Sequence, residues 1–198
     1  MSPDKAESPP ITRRARAAGG LATVLALLVS SASGQSLSTT FEGGGAARGL
    51  MFDITALHPP GITVTGISIN FPLGTMNGYT VRVWGRFESY VGHTESAAGW
   101  GYLGGSGSSA GTPPGPPFFV PYGAYDALHI DPGQTFAFYI ECTADQGFTP
   151  IPTAQATYGN ADIQIHGGVG KGPGGFTGPT IQDAMINCEI TYIPTAPE

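Results

Sequence analysis

Apolar and polar residues alternate with a period of two along short segments of the chain, a pattern typical of half-buried β-strands. The clearest segment is Tyr79 to Phe87, where one face carries mostly apolar side chains and the other carries polar residues and a tryptophan. Between residues 62 and 71 the alternation shifts by one place at Gly66. A shift of this kind predicts a β-bulge at Gly66.

Similar short runs recur along the chain, separated by turn residues, among them 31 glycines and 18 prolines. After residue 34, no window shows the apolar spacing of three and four that an amphipathic helix requires. This pattern predicts an all-β protein, an antiparallel two-sheet β-sandwich that resembles a jelly roll. The predicted strands are 36–41, 50–55, 62–71, 79–87, 100–103, 118–120, 128–130, 135–142, 163–165 and 184–193. The turn Asp131-Pro132-Gly133-Gln134 predicts a hairpin-like unit over residues 128–142.

The first 34 residues follow another pattern. Three arginines between residues 13 and 16 precede an apolar run from Leu21 to Val29, and small residues follow around Ala32 to Gly34. This order is that of a secretory signal peptide, and the run is shorter than the roughly 20 apolar residues that span a bilayer. We therefore expect cleavage after Gly34, or after Ser33, and a product that is secreted, extracellular or periplasmic, with no membrane span.

Cleavage after Gly34 would leave 198 − 34 = 164 residues, the size of one domain. We expect residues 35–198 to form a single domain, with the Gly/Ser/Pro-rich tract 104–117 as a long surface loop. The mature chain would carry four basic and twelve acidic side chains, a formal net charge of −8. So few cations make nucleic acid an unsuitable partner.

Two cysteines occupy apolar faces of predicted strands. Cys142 follows Phe138 and Ile140 on one face of its strand, and Cys188 lies between Ile186 and Ile190 on one face of another. Both should therefore point into the core. In an exported protein such a pair predicts a disulfide bond, which would stabilise the fold by roughly 4 kcal/mol. Two buried thiols are the alternative.

Aromatic and charged residues concentrate between residues 84 and 102. Aromatic rings stack on sugar rings, while carboxylates hydrogen-bond to sugar hydroxyls. The segment is therefore the candidate ligand-binding surface, for a carbohydrate or a surface protein. The alternative is that half of these rings pack in the core and the rest cover sheet edges. The candidate residues are Trp84, Glu88, Tyr90, His93, Glu95, Trp100 and Tyr102.

Cofactor binding has weak support in the sequence. His93 and Glu95 can lie on one face of an extended segment, but a transition metal needs three or four converging ligands. Calcium accepts carboxylates, although no calcium-binding motif is present. The carboxylates available for calcium are Asp53, Asp126, Asp131, Asp145 and Asp162. We expect no resident cofactor.

Two stretches of the chain carry residues found in catalytic patterns. Residues 107–111 match the G-x-S-x-G pattern around Ser109, but that pattern works on a strand–turn–helix, and Pro113 and Pro114 prevent a helix here. Glycoside cleavage would need a carboxylate pair at a set separation, for which Glu88 with Glu95 or Asp126 are candidates. Neither pattern establishes catalysis, and we expect a non-enzymatic protein.

Several stretches, in this order and spacing, resemble a recurring, largely uncharacterised β-sandwich module of secreted bacterial proteins. The resemblance covers roughly Phe41 to Tyr192. It implies an exported sandwich with a binding or structural role, and it brings no catalytic residues. The matching stretches include Gly49 to Ile54 (GLMFDI), Ser89 to Gly92 (SYVG), Asp131 to Thr135 (DPGQT) and Gly167 to Gly172 (GGVGKG).

Three functions are compatible with these features. The first is a non-catalytic binding or adhesion module that uses exposed loop residues. The second is a structural envelope or filament protein that associates with itself through edge strands. The third is a glycoside or ester hydrolase.

Overall fold

The computed structural model describes residues 33–41, 47–70, 79–108, 118–120, 128–143, 151–152 and 157–196. These residues form β-strands and one short 3-10 helix, Gly175–Thr177. The strands are β1 (Gln35–Ser38), β2 (Gly49–Ala56), β3 (Ile62–Ile69), β4 (Tyr79–Phe87), β5 (Gly101–Ser108), β6 (Phe118–Phe119), β7 (Leu128–Ile130), β8 (Thr135–Cys142), β9 (Ile151–Pro152), β10 (Thr157–Gly159), β11 (Ile163–Lys171), β12 (Thr180–Ile181), β13 (Ala184–Met185) and β14 (Cys188–Pro194).

Two antiparallel sheets pack against each other, so the predicted β-sandwich is confirmed. The large sheet has the order β10-β11-β2-β8-β4-β5, with β12 paired to β11. The small sheet has the order β1-β14-β3-β6, and β7 pairs with the same strand, β3. Strands β9 and β13 form a separate two-stranded pair.

The core lies between the two sheets and is built by the predicted alternation. Leu50, Phe52 and Ile54 of β2 contribute its large-sheet side, and Ile190 and Tyr192 of β14 contribute part of the opposite side. All of these side chains are buried. Removing this much apolar surface from water is the main driving force for the fold.

The bulge in β3 is also confirmed. Gly66 pairs with Thr191, whereas the next paired residue is Val64 opposite Tyr192, so Thr65 is the extra residue of the ladder. This extra residue restores the inward orientation of the apolar side chains that follow, since Ile67 and Ile69 are both buried.

The predicted hairpin over residues 128–142 is wrong, although its turn exists. Gln134 N donates to Asp131 O at 3.0 Å, and Gly133 has a φ of 75°. However, β7 pairs with β3 in the small sheet, while β8 pairs with β2 and β4 in the large sheet. The turn therefore carries the chain across the sandwich rather than back along one sheet.

Other differences concern lengths. The tract 104–117 is not a loop throughout, because its first five residues belong to β5, and residues 109–117 lie outside the described part of the chain. The predicted strand 184–193 is two strands, β13 and β14, which belong to different sheets. Strand β11 continues to Lys171, six residues beyond its predicted end.

No disulfide bond joins Cys142 and Cys188, so that prediction is corrected. Both side chains are buried in the core, as the alternation indicates. Cys142 is opposite Val81 in the large sheet and Cys188 is opposite Ile69 in the small sheet. Alternation determines which face a side chain occupies, but a disulfide also needs Cα atoms within about 7 Å of each other.

Contacts between Cα atoms group Ala32–Glu198 into one compact unit. The predicted signal peptide lies almost wholly outside the described residues, which begin at residue 33. Within the described ranges, no helix is long and apolar enough to cross a membrane.

Candidate functional site

The outer face of the large sheet carries a row of residues across four neighbouring strands, three of which contribute a polar side chain. The register places Arg86 of β4 opposite Ala137 of β8, Ala137 opposite Asp53 of β2, and Asp53 opposite His166 of β11. Cross-strand neighbours on one face lie about 4.5–5.5 Å apart at Cβ. Asp53 is therefore flanked by a histidine and, beyond the small Ala137, by an arginine.

Asp53 is buried, with 6% of its surface exposed, and both carboxylate oxygens accept hydrogen bonds. Ser89 Oγ donates to Oδ2 at 2.6 Å, and Tyr90 N donates to Oδ1 at 3.0 Å. Burial raises the pKa of Asp53, and these bonds, with the charges of His166 and Arg86, oppose that shift only in part. The carboxyl group is thus desolvated, and its partners do not fully compensate its ionised form for the loss of water.

The connection between β4 and β5 folds over this face, and we name residues 89–100 the strap. Besides the Asp53 bonds, the strap contacts β11 through Tyr90, whose hydroxyl donates to Gly167 O at 2.8 Å. Gly167 lies in a bulge, where the register of β11 shifts between His166 and Val169. A side chain at Gly168 would overlap Met51 O, so this close approach of two backbones requires glycine.

A second anchor holds the strap to the other end of β11. Lys171 is fully buried, and its Nζ donates to Thr180 Oγ1 at 2.9 Å and to Glu95 Oε1 at 3.3 Å. Thr180 Oγ1 in turn donates to Glu95 Oε1 at 2.6 Å. The hydrogen bond from Thr180, followed by those from Thr94 and Lys171, lowers the pKa of Glu95.

Aromatic side chains fill the space beneath the strap and form a second apolar cluster. Trp100 is 8% exposed and packs against Tyr139 and Phe176, with ring centroids 6.2 and 5.7 Å away. Its Nε1 donates to His93 O at 3.0 Å, which fixes the middle of the strap. The Arg86 guanidinium lies over the Trp100 ring, 5.9 Å from its centroid.

A cleft of about 370 Å³ opens where the strap meets the bulge of β11. Carboxyl, imidazole, amide and hydroxyl groups line it, together with the partly exposed backbone of two glycines. Its lining residues are Asp53, Tyr90, Val91, Thr157, His166, Gly167, Gly168, Val169, Gln182 and Asp183. Asp183 has a φ of 55°, an uncommon conformation for a residue with a side chain.

The structure distributes the seven predicted ligand-binding residues among several roles. Only Tyr90 lines the cleft. Trp84 and Trp100 pack beneath the strap, and burial leaves Trp100 little surface for a ligand. Glu95 is bound by Lys171, while His93 and Tyr102 are exposed, Tyr102 by 56%. Glu88 lines a separate groove with Phe87 and Thr135.

The other candidate residues are found in local contacts. Of the possible calcium ligands, Asp162 forms hydrogen bonds with His58 and Tyr192, and Asp131 Oδ1 lies 3.2 Å from His129 Nε2. Asp126 and Asp145 are outside the described residues. The candidate nucleophile Ser109 is outside them too. Within the described ranges, no group of three or more His, Cys, Asp or Glu side chains could hold a metal ion.

Sequence reasoning did not select His166, Gln182 or Asp183, and it considered Asp53 only as a calcium ligand. One signal was present, since Asp53 is the one charged residue in the otherwise apolar stretch GLMFDI. A carboxylate inside a strand with such a composition indicates a polar partner on its face. Gln182 and Asp183 lie in a turn between two-residue strands, for which alternation offers no signal.

The protein is thus an all-β sandwich with a polar cleft on the outer face of its large sheet. No protein-family model matches the chain, and no curated protein sequence matches it significantly. The resemblance to the secreted β-sandwich module stays a prediction. Three of its stretches meet at this face, because Asp53 of GLMFDI binds Ser89 and Tyr90 of SYVG, and Tyr90 binds Gly167 of GGVGKG.

Proposed function

We propose that the protein is an exported, non-catalytic binding module that binds a hydroxyl-rich ligand, such as a glycan, in the cleft beside Asp53 and His166. The observation that carries this proposal is the composition of the cleft wall. Sugar hydroxyls both donate and accept hydrogen bonds, and the wall offers carboxylates as acceptors and Gln182 and Thr157 as groups that do both. Tyr90 adds an aromatic ring beside them.

The charge of the cleft favours a neutral or cationic ligand over an anionic one. Asp53 and Asp183 both line it, and the lining residues within the described chain include no lysine or arginine. An anionic sugar or a phosphate group would face two carboxylates with a single histidine to offset them. The size of the cleft suits one or two sugar units, since small-molecule pockets begin at about 300 Å³.

A glycan array with residues 35–198, run with and without a chelator, tests the proposal. We expect binding to neutral or amine-bearing glycans and little binding to sulfated or uronic acid glycans. A glycan that binds would then be titrated by calorimetry. Flat profiles on the array would contradict the proposal.

Substitution of Asp183 locates the binding site. Asp183→Asn keeps a residue type that tolerates positive φ but removes the charge. A hydrogen bond to a charged group contributes about 1.5–3 kcal/mol, so we expect the Kd to rise roughly 10- to 100-fold. Asp131→Asn, at an exposed turn carboxylate outside the cleft, is the matched control and should leave the Kd unchanged. Equal affinities for both variants would place the ligand elsewhere.

One observation favours the structural alternative. Strand β5 ends the large sheet, pairs only with β4 among the described strands, and has no charged residue or proline over Gly101–Ser108. Uncharged edges of this length pair readily with other chains. This function predicts self-association of the pure protein, and a monomer by light scattering at high concentration would count against it.

A further inference from the structure

We propose that Lys171, acting through Glu95 and Thr180, positions Tyr90 in the wall of the cleft. A contact outside the cleft then sets the affinity of the cleft for its ligand. This inference rests on the proposed function, because it concerns how the same cleft is kept ready for its ligand. It assigns a role to the buried lysine, which does not line the cleft and which the proposed function leaves without a purpose.

The geometry places both anchors of the strap on a single strand. Tyr90 binds Gly167 and Glu95 binds Lys171, four residues further along β11. Four residues of a strand span about 13 Å, which lies within reach of the five residue steps of the strap from Tyr90 to Glu95, part of which is the turn between Tyr90 and His93. Releasing Glu95 would remove one of the fixed points of the strap and leave the turn at Tyr90 held by Asp53, Gly167 and the Trp100 contact to His93.

The contacts between the two anchors are continuous. Thr94 Oγ1 donates to Glu95 Oε1 at 3.1 Å, and His93 N donates to Tyr90 O at 2.8 Å. Trp100 Nε1 holds His93 O from below. A displacement at Glu95 thus reaches the turn that carries Tyr90 through two residues of backbone.

Burial explains why the anchor is specific. Lys171 is fully buried, and a buried ammonium without partners is strongly destabilised. The carboxylate of Glu95, itself 68% exposed, and the hydroxyl of Thr180 supply the partners. If the strap moved away, the Lys171 ammonium would lose Glu95 as a polar partner.

Thr180→Val and Thr180→Ser form a matched pair that tests this role. Valine keeps the shape but loses the hydroxyl that bridges Lys171 and Glu95, whereas serine keeps the hydroxyl. We expect Thr180→Val to lower the hydrogen-exchange protection of amides 90–95 in the ligand-free protein and to raise the Kd of the glycan at least about fivefold. We expect Thr180→Ser to retain both the protection and the affinity of the wild type.

The pH profile supplies a readout that a merely structural role would not change. The charged groups that face Glu95 are limited, within the described residues, to Lys171, while Thr94 and Thr180 are its neutral partners. Because its folded pKa is lowered, the stabilisation from Glu95 is present above its ordinary pKa of 4.5 and is lost as the pH falls through the folded value. Strap protection should fall in that window, and Glu95→Gln should remove the part of the fall that Glu95 causes, leaving the part that follows protonation of Asp53.

Each result supports or overturns the inference. Unchanged strap protection in Thr180→Val would overturn it whether or not a glycan binds, since exchange is measured without ligand. Reduced protection with an unchanged Kd would overturn the link to the cleft. Reduced protection in a protein that binds no glycan would support the anchor and contradict the proposed function. Lys171→Met, if it folds, should resemble Thr180→Val.

Discussion

At the residue scale, Asp53 places a carboxyl group where water barely reaches it. It accepts bonds from Ser89 and Tyr90 N, yet its pKa is raised because burial outweighs them. A group of this kind destabilises the folded protein when ionised and would be relieved by a proton or a positively charged ligand. Asp53 thus binds the strap and also favours a neutral or cationic ligand in the cleft.

Asp53→Asn should change how stability depends on pH. Because the folded pKa is raised, protonation of Asp53 stabilises the protein below the ordinary pKa of 3.8, and this contribution is lost as the pH rises through the folded value. We expect the variant to lack this contribution. Urea unfolding at several pH values measures this contribution. The difference in the free energy of unfolding between wild type and variant should change with pH over this window. A constant difference would contradict the prediction.

At the element scale, the strap and the outer sheet face form a unit with its own apolar cluster. Trp100 packs against Tyr139 and Phe176 there, and burial also raises the pKa of the Tyr139 hydroxyl. The sequence pattern indicated a working surface in this segment, but most of its rings stabilise the strap. Within this segment, the edge of the cleft is formed by Tyr90 and Val91, while Phe87 and Tyr102 are exposed outside the cleft.

Trp100→Ala should destabilise the protein by about 3–5 kcal/mol, as for other buried aromatic residues. The loss follows from the packing of its ring and from the bond between its Nε1 and His93 O. Denaturant unfolding measures it. Val91→Ala, at a strap residue that is 68% exposed, is the control and should change the free energy of unfolding by less than about 0.5 kcal/mol. A similar small effect for Trp100 would show that the cluster contributes little.

Gly168→Ala should disrupt the bulge of β11. An added Cβ would overlap Met51 O, so the two strands must separate, at a cost of about 1–3 kcal/mol. Gly101→Ala is the matched strand glycine, since its nearest neighbour to a Cβ is Gly85 O at 3.7 Å, an ordinary contact. Thermal unfolding of both variants compares them. Equal losses would mean that backbone approach at the bulge is not limiting.

At the scale of the whole molecule, the two sheets are held together by apolar packing without a covalent link. The inner faces of β2 and β8 pack against those of β3 and β14, and both cysteines lie in this core. Burial raises the pKa of the Cys188 thiol, which keeps it protonated and poorly reactive. The two layers are therefore joined mainly by apolar burial, together with polar contacts such as the bond from the Tyr192 hydroxyl to Asp162.

Stability should consequently be insensitive to reducing agents. We expect equal unfolding midpoints with and without dithiothreitol, and labelling of both thiols by iodoacetamide in urea under non-reducing conditions. A disulfide between Cys142 and Cys188 would instead be revealed by protection from labelling. It would also lower stability on reduction by roughly 4 kcal/mol.

Much of the fold could be predicted because alternation is a local property of the chain. The segment Tyr79–Phe87 and the bulge at Gly66 follow from the order of side chains alone. The turn at Asp131–Gln134 also follows from the order of side chains, but the pairing of the strands on either side of it does not. The local sequence does not determine whether the strand after a turn joins the same sheet or the opposite one.

The sequence by itself determined which face of the longer strands is apolar, and hence that the chain closes into a two-layered β protein. Only the tertiary structure decided which polar groups meet. Asp53, Tyr90 and Gly167 are brought together by strand register and by a bulge, and Lys171 finds Glu95 across 76 residues of chain. The physical reason is that burial depends on the chemistry of each residue, whereas a binding site depends on distances between residues that are remote in the chain.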